Sequence, residues 1–397
     1  MTTAGDPSPI PGLAPFDFAS PTRIVFGPGT VRHVGGIARQ FGKRALVVTG
    51  SQPARARPVL ESLAAEGITS DTFAVPGEPT TLHVASGVAR ARLRGFDVIV
   101  GFGGGSALDA AKAIAGLLTN ERDLYDYLEV VGRAQPLARP SAPWIAIPTT
   151  AGAGAEVTRN AVLTAREHRV KASLRSPFLL AHAALVDPEL TLPLPPAITA
   201  QTGLDALTQL IEPFVSLRAN PFTDALCQDG LPRVAASLLR ACQDGGDLPA
   251  RSNMALAALF GGFALANAGL GVVHGLAAPI GGAHPAPHGA VCAALLPHAM
   301  AVNLAALRQR HPNSPALDRY DTVARTLLQD PGARADDAVA WVLHLTRSLA
   351  IPPLRQYGIE PDHFGTLADQ AAQASSMKTN PVSLTREEGV ALLTAAW

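Results

Sequence analysis

Between Met254 and Leu307 the chain has no aspartate, glutamate, lysine or arginine. By length Met254–Ala283 meets the roughly 20-residue requirement for crossing a bilayer. Yet no Trp or Tyr marks its edges, Asn267, His274 and many glycines interrupt it, and Pro279 predicts a helix break. These gaps argue against a membrane span and predict a helix buried on all sides, with polar residues facing a cavity. Cysteine is scarce: Cys227, Cys242 and Cys292 are far apart and form no CxxC pair, which argues against a disulfide scaffold and for a reducing, cytoplasmic compartment. Net charge is also missing. The 32 basic and 32 acidic residues cancel, so no broad surface for nucleic acid or anionic lipid is expected. The start, MTTAGDPSPIPGLAPF, lacks the basic and apolar regions of a signal peptide and reads as a loose tail. No internal repeat, low-complexity tract or long charged run is present.

What is there centres on Phe96–Lys112, FDVIVGFGGGSALDAAK. Val98, Ile99 and Val100 suit a buried parallel strand, and Gly103, Gly104 and Gly105 permit backbone approaches that a Cβ would block. Ser106 is the expected cap of a helix over Ala107–Leu118, whose N-terminus would welcome a pyrophosphate. The loop matches neither a P-loop nor a clean GxGxxG. From Ile24 to about Asp187 strands and helices alternate: strands at Arg44–Thr49, Ile68–Val75 and Trp144–Pro148, helices at Pro53–Glu66 and Leu82–Leu93. That alternation predicts a parallel, three-layer sheet with ligands beyond the carboxyl ends of its strands. After Leu190 the pattern is helical: Ala200–Val215, Phe222–Ala241 with a break at Gly230–Pro232, Ser252–Ala268, Ala338–Leu349 and Phe364–Ala374. Thr385–Glu388 reads as the capping box of a final helix. The expected fold is α/β plus all-α, with a boundary at 187/188 and a cleft between the halves.

A second constellation lies in the helical half. Asp205 and Gln209 share one helix face, and His274 and His288 flank a Gly/Pro loop that could fold back. One carboxylate, one amide and two imidazoles are able to hold Fe²⁺ or Zn²⁺. Taken singly, each histidine is more often a hydrogen-bonded core residue, and His284 and His298 are read as structural.

Six ordered motifs resemble the iron-containing, group III alcohol dehydrogenases. They are GGGSALDAAK (Gly103–Lys112), PTTAGAGAEVT (Pro148–Thr158), VDPEL (Val186–Leu190), GLDALTQLIEPFVS (Gly203–Ser216), GLGVVHGLAAPIGGAHPAPHG (Gly269–Gly289) and LLPHAM (Leu295–Met300), with SSMKTNPVSLT near the C-terminus similar too. The resemblance implies an N-terminal Rossmann-like dinucleotide domain and a C-terminal helical domain, the architecture also of dehydroquinate synthase. It implies reversible hydride transfer between NAD(P) and an alcohol, aldehyde or hydroxyacid, in a homodimer. By position it implies metal ligands Asp205, Gln209, His274 and His288, the two histidines also being the catalytic candidates. The cofactor would be held by Gly50, Gly104, Gly105, Ser106, Asp109, Thr149, Thr150, Thr158 and Lys171.

Three positions depart from that family. Gln209 stands where a histidine is usual, which weakens affinity for a borderline metal. Ala278 replaces the second histidine of the usual HxxxH, a proton-relay partner. Gly50 replaces an aspartate found in NAD-selective members, so a 2′-phosphate is not repelled and Ser51, Arg55 or Arg57 could receive it. Other readings stay open: a maleylacetate reductase that needs no metal, a lyase on the same architecture, and a nucleotide-binding module without chemistry. The uncharged Met254–Leu307 stretch counts against the lyase, which needs cations for a sugar phosphate.

Overall fold

The computed structural model describes residues 15–168 and 170–397. Residues 1–14 of the expected tail lie outside them. Among the described residues the N-terminal half contains β1 (Ile24–Phe26), α1 (Val34–Ala38), β2 (Arg44–Thr49), α2 (Arg57–Ala65), β3 (Thr69–Ala74), α3 (Thr81–Arg94) and β4 (Val98–Gly103). There follow α4 (Gly105–Thr119), α5 (Leu124–Tyr127), β5 (Trp144–Pro148), β6 (Asn160–Ala165), β7 (Val170–Arg175) and β8 (Ala183–Val186). Six of these strands form one parallel sheet in the order β1-β8-β5-β4-β2-β3.

Alternation along the central strands builds the layers. Leu46, Val48, Ile99, Trp144 and Ala146 face α3 and α4, while Ala45, Val47, Val98, Val100, Ile145 and Ile147 face α1 and α2. Both faces are covered, which is why these strands read as unbroken apolar runs. The direction of the crossovers reverses between β2 and β4, placing a topological switch point at their carboxyl ends, where Gly50 and Gly103 sit.

Beside the sheet, β6 and β7 form an antiparallel hairpin that the sequence reading did not anticipate. It is tied down by Asp109, whose carboxylate accepts from the Val162 N–H (3.0 Å). The turn before it carries Glu156, buried to 4% exposure and pushed up to about 7 chiefly by that burial.

The second half is helical: α6 (Pro196–Val215), α7 (Pro221–Gln243), α8 (Leu248–Ala268), α9 (Val272–Ala283), α10 (His288–Arg310), α11 (Pro315–Leu328), α12 (Ala335–Ser348), α13 (Phe364–Ala372) and α14 (Arg386–Ala395). The expected capping box on α14 is formed by Thr385 and Glu388.

Several expectations are corrected. The helix after the glycine loop starts at Gly105 with Gly104 as its cap residue, so Ser106 sits inside the first turn and caps nothing. α7 runs unbroken through Gly230 and Pro232. A proline inside a helix costs about 3 kcal/mol, but α7 buries Leu231, Val234 and Leu238 in the core, and Gly230 lets Leu210 of α6 approach. For the same reason α9 continues through Pro279.

The uncharged stretch is not one rod: α8 and α9 meet at 97° across Gly269–Gly271. α10 is long and apolar enough to cross a membrane, but 78% of that window is buried against the rest of the protein, as expected of a core helix. The Asn267 amide is taken up by main-chain hydrogen bonds, one of them donated to Phe263 O (2.9 Å). It grips the N-terminal segment, accepting from Ala19 N–H (2.7 Å) and donating to Ala19 O (3.0 Å). The last residues of the supposed tail are packed too, with Phe16 and Phe18 stacking on Phe222.

The Glu156 carboxyl titrates near neutrality in the fold and near 4.5 when unfolded. The stability linked to its proton is fully present below about 4.5 and lost as pH rises through about 7. Glu156→Gln should match the wild type at about pH 4 and exceed it above about pH 8 by about 3 kcal/mol in denaturant titrations.

Candidate active site

The two halves meet over Thr149–Gly154, the turn after β5. A Cβ placed on Gly105 would lie 3.1 Å from Ala153, and one on Gly152 would lie 2.8 Å from Thr202 O. Thr202 is one turn before Asp205 on α6. At Gly154, held at φ +62°, a Cβ would strike the Gly262 Cα of α8 at 2.3 Å. This glycine-rich turn therefore lies against the start of α4 on one side and α6 and α8 on the other.

At the switch point Gly50 has open space around it, and Gly103 and Gly104 approach Gly50 N and Thr150 respectively. The N-terminus of α4 has no side-chain cap, so no side chain takes the backbone N–H groups of its first turn, where Gly104, Gly105 and Ser106 stand. Thr149 and Thr150 lie at the end of β5, beside that turn.

Asp109, Thr158 and Lys171 sit differently. Lys112, fully buried, donates to Thr158 Oγ1 and Asn160 O (both 2.7 Å) and lies 3.5 Å from Asp109. Burial pushes the Asp109 carboxyl up and the Lys112 amine down, each partner opposing the other's shift. Asp109 and Thr158 thus brace the hairpin. Lys171 pairs with Glu78 at 3.2 Å and lies against Gly281 of α9, joining β7 to the helical half. Arg55 donates to Leu190 O, and Arg57 pairs with Glu61 on the surface.

α6, α9 and α10 bring Asp205, His274 and His288 together. Asp205 Oδ1 lies 3.4 Å from His274 Nε2 and 3.8 Å from His288 Nε2. Cys292, one turn after His288, joins them, with Sγ 3.6 Å from His288 Nε2 and 3.9 Å from His274 Nε2. One ligand atom from each of these four residues lies within 4.8 Å of every other. Gln209 stands one turn beyond Asp205, its Oε1 buried. Neither Asp205 Oδ1 nor Gln209 Oε1 has a hydrogen-bond partner among the described residues. An orphaned carboxylate oxygen facing two imidazoles and a thiol fits a divalent cation.

The orienting group is Glu212, two turns after Asp205 on the same face of α6. His274 Nδ1–H donates to Glu212 Oε2 (2.7 Å), which directs Nε2 into the cluster. Glu212 Oε1 accepts from Val273 N–H (2.7 Å), and Asn380 Oδ1 from Val272 N–H (3.1 Å), so both side chains satisfy the first turn of α9. Sequence reasoning missed Glu212 and Cys292, although i+7 from Asp205 and i+4 from His288 are same-face spacings.

The charges respond to one another. Burial would raise the Asp205 carboxyl, but His288 and His274 outweigh it and hold it below the usual range. Burial would lower His274, but Cys292, Asp205 and Glu212 hold it well above 6.5. Cys292 and Asp205 raise His288 against burial. Cys227 and Cys242, buried away from imidazoles, are pushed up by burial, whereas His288 and His274 pull the Cys292 thiol below its ordinary value.

Residues 21–188 match the iron-containing alcohol dehydrogenase family, and residues 199–397 match the C-terminal region of the same family. The chain belongs to the iron-containing alcohol dehydrogenase family. The 1,3-propanediol dehydrogenase of Klebsiella pneumoniae is 35% identical over 390 residues, covering 96% of this chain and 99% of that protein. The crystal structure of a 1,3-propanediol oxidoreductase superposes with a TM-score of 0.90 at 34% identity, over 97% of this chain and all of the other. Sulfoacetaldehyde reductase from Bifidobacterium kashiwanohense, solved in complex with NAD⁺, gives a TM-score of 0.84 at 26% identity, over 96% of this chain and 99% of that one. The likeness runs through both halves, including the parallel sheet and the helical domain.

Glu212→Gln should weaken Zn²⁺ or Fe²⁺ binding by about 10–100-fold, read by competition with a chromogenic chelator, because the His274 ring loses its carboxylate partner. Protons held by the raised histidines compete with the ion, so apparent metal affinity should climb as pH rises above 6.5.

Proposed function

We propose that this protein reversibly transfers a hydride between NAD(P) and an alcohol, aldehyde or hydroxyacid, with a divalent metal in the site. The observation that carries the reading is the convergence of Asp205, His274 and His288 beside the turn that also touches the nucleotide loop. The chemistry these two groups supply when bound is Lewis acidity at the substrate oxygen and hydride exchange at the nicotinamide.

The chain's own residues set the stage. Asp205 contributes a buried negative charge, and Glu212 fixes the tautomer of His274. The uncapped start of α4 receives the pyrophosphate on Gly104, Gly105 and Ser106, with Thr149 and Thr150 beside it. Asp109, Thr158 and Lys171, which line the rest of the cofactor in this reading, also hold the β6–β7 hairpin. Ala278 brings no imidazole to α9, so the open side at His288, whose side chain is 39% exposed, is the route for proton exchange with solvent. The open space at Gly50 supports acceptance of NADP(H), with Ser51 nearest along the chain. The reading includes a domain boundary at 187/188 and a cytoplasmic homodimer, supported by the change from strands to helices, the unpaired thiols and the family resemblance.

Gln209 and Ala278 also favour a second reading, a maleylacetate-type reductase in which His274 or His288 supplies the proton without metal. Elemental analysis of protein purified without chelator, paired with NADPH and NADH oxidation against aldehydes, ketones and oxoacids, separates the two. Near-stoichiometric metal that tracks activity is expected; full activity after chelation would select the second reading. Asp205→Ala should lose the metal and at least about a hundredfold in activity. Gly50→Asp should shift cofactor preference toward NAD by about tenfold or more, the equivalent of about 1.4 kcal/mol against the 2′-phosphate.

A further inference from the structure

Cys292 is not part of the ligand set that the family resemblance implies, and its place in the cluster asks for an account. Bond lengths of about 2.0–2.1 Å to nitrogen and oxygen and about 2.3 Å to sulfur give tetrahedral ligand-to-ligand edges of about 3.3–3.6 Å. Four of the six edges are 3.4, 3.6, 3.8 and 3.9 Å, and the other two are no longer than 4.8 Å, a cluster that needs only small side-chain shifts to close round one ion. The Asp205 oxygen facing the two imidazoles makes no hydrogen bond to either and is buried to 3% exposure.

We propose that the Cys292 thiolate joins Asp205, His274 and His288 in holding the metal, as a stronger ligand than Gln209. This deepens the functional reading above and rests on it. Gln209 offers a neutral carbonyl oxygen, the donor type suited to hard cations, whereas a thiolate suits zinc and its borderline neighbours. The α10 spacing that places Cys292 one turn after His288 brings in the soft donor the site lacks at position 209. Within that ligand set two neutral imidazoles, one carboxylate and one thiolate balance the double charge of the ion. The ion so selected is Zn²⁺ or Co²⁺ in preference to Mg²⁺.

The test loads the full-length protein with Co²⁺ and records its near-ultraviolet and visible spectrum, alongside Zn²⁺ affinity by chelator competition. A thiolate-to-cobalt charge-transfer band is expected in the wild type, lost in Cys292→Ser and Cys292→Ala and kept in Gln209→Ala. Zn²⁺ affinity should fall by more than about a hundredfold in Cys292→Ser, beyond the range for loss of an outer partner, and by less than about tenfold in Gln209→Ala. The wild-type band is itself a readout independent of how the variants fold. Bound Co²⁺ without that band, or a band that survives Cys292→Ala, overturns the thiolate ligand and leaves the metal-dependent function standing. No binding of either ion overturns both.

Discussion

The Glu212 carboxylate is the interaction on which the rest of the site depends. One oxygen takes the N–H of Val273 and the other the Nδ1–H of His274. The positive end of α9 favours that charge, and Gly271 leaves room for it, since a Cβ there would come within 2.9 Å of Glu212 Oε1. With Nδ1 engaged, Nε2 is the ring atom presented to Asp205 and Cys292. The closing motif contributes through Asn380, which takes the neighbouring Val272 N–H and exchanges hydrogen bonds with Asn303 of α10. Ligand orientation, the start of one helix and the packing of the C-terminal segment are therefore one hydrogen-bonded unit.

The other constraint is how closely the halves approach. Gly152, Gly154 and Gly262 bring main chain against main chain where side chains would intervene. Long side chains shift by rotamer, but backbone contacts leave little play. The distance between nucleotide loop and metal cluster is thus fixed by the absence of Cβ atoms along Thr149–Gly154, and the same residues end β5 next to the switch point. Lys171 adds a second tie, reaching from β7 to α9.

Much of this was legible from residue order. The apolar runs of β2, β4 and β5 and the glycines after Phe102 announce a parallel sheet with a nucleotide loop, and the motifs announce the family. Asp205, His274 and His288 follow from those motifs. Helix interiors were harder, because tertiary burial overrides local breakers: Pro232, Pro279 and Pro297 all lie inside helices. Asn267 was misread because its partner, Ala19, lies on the far side of the sequence. Glu212 and Cys292 lay inside quoted motifs, but their roles depend on helices that only the fold brings together. The β6–β7 hairpin escaped because its strands are half-buried and interrupted by polar residues, unlike the unbroken apolar runs of the main sheet, and the Asp109 contact that anchors it is long-range.

The proposed ligands come from α6 and from α9 and α10 more than fifty residues further on, so an ion held there would be tied to the integrity of the helical half. An ion that binds the assembled α6, α9 and α10 but not the unfolded chain stabilises the fold by RT ln(1 + [M]/Kd), about 4 kcal/mol when free ion stands a thousandfold above Kd. That is a large share of the 5–15 kcal/mol typical of a folded protein. With an ion so held, metal supply would govern abundance as well as turnover, since molecules made without it would open more often.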